Sequence, residues 1–418
     1  MTDQITEGNY GLSSPFRGTG GMDRNLLLHT YRLMYSVKMM AETYEANRAI
    51  TKYVHSTSRG HEAIQLATAF HLLPQDWVSP YYRDESLLLG MGWTPYELML
   101  QLLTKAGDPF TGGRSYYSHP NSLDENKPKI IHQSSATGMQ VIPTTGVAQG
   151  LKYLEEIGRQ QLAIGNGQVL KEDGLKPVVI CSLGDASVTE GEVSEAFQFA
   201  VLKQLPIIYL VQDNDWGISV SSEEGRAMDA FEYAEGFKGL NKIRIDGTDF
   251  FQSYDTMRKV INHAREHRKP WLVHAKVCLL NHHTSGVRKE FYRTEEDLAK
   301  HACNDPFPKF RAAIVEDFGE DYLKEIEAEV SAEIKEQFDR AVASPEPDPL
   351  KVEEHIFVPT PVTEEQGERS PSGKDKVMMV DAALFAIREL MQEHEECVLY
   401  GQDVGKRLGG VFREAATL

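Results

Sequence analysis

The sequence predicts an α/β protein with a mostly parallel sheet flanked by helices. Three observations carry this expectation. Pro177 to Val220 reads as buried strand, tight turn, helix and buried strand. Val178 to Cys181 and Ile207 to Val211 are the apolar strands, and Val193, Ala196, Phe197, Ala200 and Val201 recur between them at helical spacing. Both strands end on polar residues, the first in Ser182-Leu183-Gly184-Asp185 and the second in Gln212-Asp213-Asn214. A further strand, Trp271 to Val277, follows a helical pattern at Phe250 to Glu266 and ends in Asn281-His282-His283-Thr284-Ser285-Gly286. In parallel units such exits share one edge of the sheet, where ligands bind open α/β folds.

Asp185 and Asn214 therefore converge. One carboxylate, one amide oxygen and nearby loop carbonyls suit a hard cation, and Mg²⁺ held this way takes further oxygens from a phosphate. An Asp after a strand is as readily a helix cap as a ligand. The residues alone leave both readings open.

Taken in order, residues 1–21 are Gly/Ser/Thr-rich and read as an ordered arm or a disordered lead. A helix runs from Asp23, its N-cap, to about Ala49, with Leu26, Leu27, Tyr31, Leu33, Met34, Val37, Met40 and Tyr44 as its apolar residues. Ser58-Arg59-Gly60-His61-Glu62 opens the next helix. There Gly60 permits a sharp entry and Glu62 suits the positive helix end. Ser79 to Asp84 ends one short element and starts a helix near Leu87 to Leu89. Arg83 at that helix start is placed to hold a phosphate. Read in isolation, it fits a surface ion pair with Asp84 or Glu85 better.

Gly112-Gly113-Arg114 through Ser118-His119-Pro120 is a loop, and His119 alone is an ordinary surface histidine. Residues 121–135 are polar and irregular. Ala136-Thr137-Gly138-Met139 then leads into a helix beginning near Pro143. A short strand, Lys242 to Asp246, closes on Gly247. His282 and His283 point apart in an extended loop, so proton transfer or hydrogen bonding to an oxyanion suits them better than ligation of a transition metal. Residues 318–343 form a charged helix with Tyr322, Ile326, Val330, Ile334 and Phe338 as the apolar stripe.

Residues 1–343 read as one domain. Residues 344–375 are a linker, carrying Pro345, Pro347, Pro349, Pro359, Pro361 and Pro371 among charged residues. Residues 376–418 read as a helix from Val377 to Met391, a strand at Val398-Leu399-Tyr400 and a turn at Gly409-Gly410-Val411. So short a piece cannot bury its own core, and it is expected to be the incomplete beginning of a second domain.

The formal charge of −18 over 418 residues argues against a nucleic-acid or anionic-membrane surface. The four cysteines, Cys181, Cys278, Cys303 and Cys397, lack metal-ligand or CxxC spacing and suit a reduced, cytoplasmic protein. No secretory signal and no apolar run of membrane-span length is visible.

Taken together, these residues resemble the thiamine-diphosphate-dependent decarboxylating component of the 2-oxo acid dehydrogenase complexes. Residues 24–350 are similar to its α-subunit, and residues 376–418 to the start of its β-subunit, joined through the linker. The resemblance implies the doubly wound thiamine-diphosphate-binding fold. It places Mg²⁺ on the side chains of Asp185 and Asn214 and the carbonyl of Trp216. Gly184-Asp185-Ala186 stands where the family has Gly-Asp-Gly, and Asp213-Asn214 where it has Asn-Asn. The extra charge of Asp213 is expected to lower affinity for the diphosphate. Gly184, Ala186 and Ser187 are implied to face the phosphates, Tyr82 and Arg83 to grip the diphosphate, and Ser135 to Gly138 to contact the aminopyrimidine.

His119 and His283 match the two loop histidines that stabilise charge on the substrate and assist acyl transfer. The glutamate that protonates the aminopyrimidine belongs to the β part beyond Gly409-Gly410-Val411-Phe412, so this chain alone is expected to be inactive. The implied reaction is oxidative decarboxylation of a 2-oxo acid and reductive acylation of a lipoyl group on the acyltransferase partner. A branched-chain substrate of the 3-methyl-2-oxobutanoate type is favoured over pyruvate or acetoin chemistry. A β-subunit-like domain and a second copy of the chain are the other expected partners. A non-catalytic assembly subunit is the alternative of another class. A nucleotide-binding protein would need a GxGxxG or GxxxxGK[ST] loop at a strand–helix junction, and none occurs. Whether Thr284 and Ser285 are phosphorylated, as in some family members, stays open.

Overall fold

A computed structural model describes residues 22–51, 53–131, 134, 136–159, 175–357, 367–368, 372–402 and 404. Its centre is a six-stranded sheet, every pair parallel. The helix α1 (Arg24–Ala46) leads to α2 (Glu62–Ala69), strand β1 (Trp77–Ser79), α3 (Glu85–Gly90), α4 (Pro95–Leu102) and β2 (Lys129–Ile130). Next come α5 (Val141–Glu156), β3 (Val179–Gly184), α6 (Gly191–Lys203) and β4 (Ile207–Asp213). A two-stranded ribbon, β5 (Trp216–Gly217) and β6 (Val220–Ser221), precedes the short helices α7 (Ser222–Gly225) and α8 (Ala230–Tyr233). The sheet is completed by β7 (Asn241–Asp246) and β8 (Trp271–Lys276), with α9 (Phe250–His267) between them. Helices α10 (Glu295–Ala302), α11 (Pro306–Phe318), α12 (Glu320–Ala343) and α13 (Met379–Glu393) follow.

Strand order is β2-β1-β3-β4-β8-β7, so the chain winds outward in both directions from β3 and β4. Residue alternation along these strands divides their side chains between two cores. Val178, Ile180, Ile208 and Leu210 pack into the layer built with α1, α2, α9, α11 and α12. Val179, Cys181, Leu183, Ile207, Tyr209 and Val211 pack into the layer with α5 and α6. Gly184 pairs with Gln212 and Asp213 with Lys276, which sets the exits of β3, β4 and β8 side by side.

Four expectations change. The irregular stretch 121–135 contains β2, an edge strand too short to show a period of two. On α12 the buried stripe is Leu323, Ile326, Val330, Ile334, Phe338 and Ala341, whereas Tyr322 is 45% exposed. Leu323 sits one residue further round the helix and is buried in the core shared with α1, where each such side chain is worth about 1.5–3 kcal/mol. Val398-Leu399-Tyr400 forms no strand, having no neighbour to pair with among the described residues, and α13 buries none of its residues. The stretch read as a linker begins docked, with Ala106 N donating to the Pro345 carbonyl at 3.0 Å and Lys105 paired with Glu346. The Gly409-Gly410-Val411 turn and the arm at 1–21 lie outside the described residues. Cys181 and Cys278 are buried, Cys397 is half-buried and Cys303 is exposed; none is in a disulfide.

Candidate active site

At the carboxyl edge of β3 and β4 lies a cavity of about 490 Å³. The β3 exit lends it Gly184, Asp185, Ala186 and Ser187, the β4 exit Asn214 and Trp216. Tyr82 and Arg83 reach it from the turn before α3, and His119 and His283 from their loops. Three other cavities match it in size, one of about 500 Å³ beside β7 and β8, one of about 470 Å³ lined by His282 and one of about 460 Å³ lined by Arg226. Chemistry, not volume, sets this one apart. It alone of the four gathers a buried carboxylate, a carboxamide, a guanidinium and three imidazoles, those of His55, His119 and His283.

Asp185 starts a 3-10 turn at Asp185–Thr189 and is buried. Burial, followed by the neighbouring charge of Asp213, raises its carboxyl to about 7 against the opposing pull of Arg226. A carboxylate in this state gains most from an added cation. Asn214 is oriented from two sides. Its Oδ1 accepts from Trp216 N at 3.1 Å, and its Nδ2 lies 3.3 Å from His61 Nε2. His61 Nδ1 lies 2.9 Å from Gln212 Oε1, an acceptor only, so Nδ1 bears the proton and Nε2 accepts from Asn214. Burial, then Arg83, lowers His61 to about 3, which keeps the ring neutral. His61 and Gln212 thus fix which atom of Asn214 is free to meet a cation, and sequence reading assigned them no role. The available signal was position, since Gln212 follows the apolar run of β4 and His61 stands at the start of α2.

Trp216 is flanked by two residues with positive φ, Asp215 at 68° and Ile218 at 58°. Its ring packs on Tyr292 with centroids 5.5 Å apart, and the Arg293 guanidinium lies over it at 5.5 Å. Backbone strain of this kind persists where surrounding contacts over-determine a loop.

Arg83 is no surface ion pair. Its side chain is fully buried, with Nη2 donating to the His283 carbonyl at 3.1 Å and Nη1 to the Thr57 carbonyl at 3.3 Å. The expected partner Asp84 instead accepts from Tyr81 N at 3.0 Å and Gln212 Nε2 at 2.7 Å. Glu85 takes the Tyr117 hydroxyl. Arg83 Nε is buried without a partner among the described residues. A guanidinium desolvated against carbonyls, with a donor left over, is built for an anion.

His283 hangs on the same framework. Ser56 Oγ donates to its carbonyl at 2.7 Å, and Arg83 Nη2 lies 3.4 Å from its Nδ1. Because a guanidinium only donates, Nδ1 accepts and Nε2 carries the proton. Burial, then Arg83, lowers this ring to about 3. His119 has the opposite polarity, since its Nδ1 lies 3.0 Å from the Tyr117 carbonyl and donates to it, leaving Nε2 as the acceptor nitrogen. His282 turns into another cavity, where Lys289 N donates to its Nδ1 at 3.2 Å. The loop of His283 is zipped to 55–60, with Ser285 N donating to the His55 carbonyl at 2.8 Å. At Gly60, with φ +99°, a Cβ would lie 2.0 Å from the Cys278 carbonyl oxygen, so only glycine permits this approach.

Gly138, with φ +78°, lies just before α5; its neighbour Thr137 lines the cavity while Gly138 does not. Ser135 lies outside the described residues. Asp213, expected to add charge against the diphosphate, is not in the cavity wall. His274 Nε2 donates to it at 2.8 Å, Arg226 Nη2 at 2.8 Å, and Lys276 Nζ is 3.3 Å away. Burial alone would raise this carboxyl, but these partners hold it far below the usual range.

The sequence matches the family Dehydrogenase E1 component over residues 31–350. The chain belongs to the dehydrogenase E1 component family. Among its relatives is the 2-oxoisovalerate dehydrogenase subunit alpha of Bacillus subtilis, 26% identical over 303 residues, covering 72% of this chain and 85% of that one. The pyruvate dehydrogenase E1 component subunit alpha of Porphyra purpurea is 27% identical over 346 residues, covering 80% and 94%. The 3-methyl-2-oxobutanoate dehydrogenase subunit alpha of Mycobacterium tuberculosis is 26% identical over 295 residues, covering 69% and 71%. This is an E1α-type chain of a 2-oxo acid dehydrogenase, an oxidoreductase component. No helix among the described residues is long and apolar enough to cross a membrane.

One buried acid of this E1 chain sits behind the cavity wall. Glu85 is fully buried, and burial, ahead of the relief from Tyr117 and Ser58, raises it to about 7. Its neighbours are Tyr117, Ser58, Tyr44 and, at longer range, Glu62. A carboxyl raised in the folded state is stabilising below its unfolded value, and that contribution is lost as pH rises toward 7. The loss amounts to roughly 3 kcal/mol. Urea denaturation between pH 5 and 8 is expected to show this decline in wild type and a flatter profile in Glu85→Gln.

Proposed function

We propose that this E1 chain holds Mg²⁺–thiamine diphosphate and serves the decarboxylation of a branched-chain 2-oxo acid, with reductive acylation of a partner's lipoyl group. The observation that carries the reading is that Asp185, Asn214 and Trp216 line one cavity with a buried guanidinium that has an unused N–H. Asp185, Asn214 Oδ1 and the Trp216 carbonyl would hold the cation, a donor set suited to Mg²⁺. Arg83, with Tyr82, would hold the diphosphate, and Gly184, Ala186 and Ser187 line the same wall. The residues fit the group. Thiamine diphosphate, when bound, supplies the nucleophilic carbon and the electron sink for decarboxylation.

The histidines do complementary work at the substrate. His283, neutral at physiological pH, presents Nε2–H to oxygen charge that develops on the substrate, a donor already in place and needing no proton transfer. His119 offers Nε2 as the acceptor for a proton released during acyl transfer. Among the described residues the cavity wall carries no glutamate. The acid that protonates the aminopyrimidine is assigned to a β-type domain or chain. That domain, the lipoyl-bearing acyltransferase and a second copy of this chain are the proposed partners.

The branched-chain preference rests on a wall of Val54, Tyr82, Tyr116 and Ile218, apolar and aromatic surface suited to an isopropyl or isobutyl group. Steady-state rates of the β-complemented enzyme on 3-methyl-2-oxobutanoate and pyruvate test it. A kcat/KM about tenfold or more in favour of the branched acid is expected. A preference for pyruvate would overturn the substrate assignment and leave the cofactor site standing.

A further inference from the structure

Beside the cation site stands a charge that the reaction does not use. Arg226 follows α7, and its side chain is only 9% exposed. Its two terminal nitrogens are engaged unequally. Nη2 donates to Asp213 Oδ1 at 2.8 Å. Nη1 lies 3.0 Å from Asp185 Oδ2 yet makes no aligned hydrogen bond to any described residue. The first contact is directional and lies within a cage, since Asp213 is also held by His274, Lys276 and the backbone N of Asp215. The second rests on proximity and charge. An aligned bond between charged groups is about twice as strong as a neutral one, and Nη1 lacks that alignment.

A divalent cation on Asp185 and a guanidinium 3.0 Å from the same carboxylate compete for one charge and repel each other. Asp213, by contrast, is compensated with or without a metal. We propose that Arg226 is a built-in counter-cation of the Mg²⁺ site. Anchored on Asp213, it pairs with Asp185 until Mg²⁺ takes that carboxylate, and so it sets the metal affinity. The inference rests on the assignment of Asp185 as a Mg²⁺ ligand. It also gives the aspartate at position 213 a function. An asparagine there would offer the guanidinium no charge to be tethered to, and Arg226 would be left to Asp185 alone.

Full-length wild-type and Arg226→Gln proteins are titrated calorimetrically with MgCl₂ alone. The variant is expected to bind Mg²⁺ about fivefold or more tightly. Equal or weaker binding by a folded variant overturns the inference. Absence of Mg²⁺ binding by wild type, with or without thiamine diphosphate, overturns the metal assignment and the inference with it. A structure of wild type with Mg²⁺ bound reads the same point without a substitution. Arg226 Nη1 is expected to have left Asp185 with Nη2 still on Asp213, and an unmoved Arg226–Asp185 pair overturns the proposal.

Discussion

Replacing Asp185 by Asn is expected to weaken Mg²⁺-dependent binding of thiamine diphosphate by about a hundredfold or more. It should also leave the melting temperature of the metal-free protein unchanged or higher. The two halves of this expectation have one cause. Asp185 is buried, sits close to Asp213, and has its carboxyl raised to about 7, so its charge is only partly offset by Arg226, whose Nη1 lies 3.0 Å away without an aligned hydrogen bond. Asparagine keeps the shape and one oxygen but removes the charge. The folded protein loses a strained anion, whereas the cation loses its only charged ligand among the three proposed. Calorimetric titration and differential scanning calorimetry on the same preparations check both halves. A stability loss equal to the binding loss would mean that Asp185 serves the fold rather than the site.

Arg83→Lys is expected to cost both binding and stability, despite preserving the charge. The guanidinium supplies separate donors to the Thr57 and His283 carbonyls and still has Nε unused. A lysine ammonium is a point donor on a flexible stem and cannot span those positions. Loss of the two carbonyl contacts should lower stability by about 2 kcal/mol. Affinity for the diphosphate should fall roughly tenfold to a hundredfold. Chemical denaturation with and without Mg²⁺ and thiamine diphosphate separates the two effects. His283 should loosen with Arg83, because its carbonyl and Nδ1 both meet the same Nη2.

The strand exits were legible because their chemistry stands at the end of apolar runs. Val179 to Leu183 and Ile207 to Val211 are buried on both faces, so a polar residue that follows such a run marks the sheet edge. What periodicity could not supply was direction. Arg83 reads locally as a partner of Asp84, and only the packing of 55–60 against 278–285 turns it inward onto carbonyls. His61 and Gln212 orient Asn214 across a separation that no local pattern connects. Arg226 lies in an irregular segment between two short helices, and its pairing with Asp185 and Asp213 follows from the fold alone. The charge of Asp213 was visible in the sequence; its pairing with His274 and Lys276 depends on the β4–β8 register.

The central claim is that Asp185, Asn214 and Trp216 hold a cation that in turn holds a diphosphate against Arg83. Calorimetric titration of the full-length protein with thiamine diphosphate, with and without Mg²⁺, tests it most directly. Saturable binding that requires Mg²⁺ and disappears on chelation is the predicted result. Absence of binding, or equal heats with and without the metal, would contradict it.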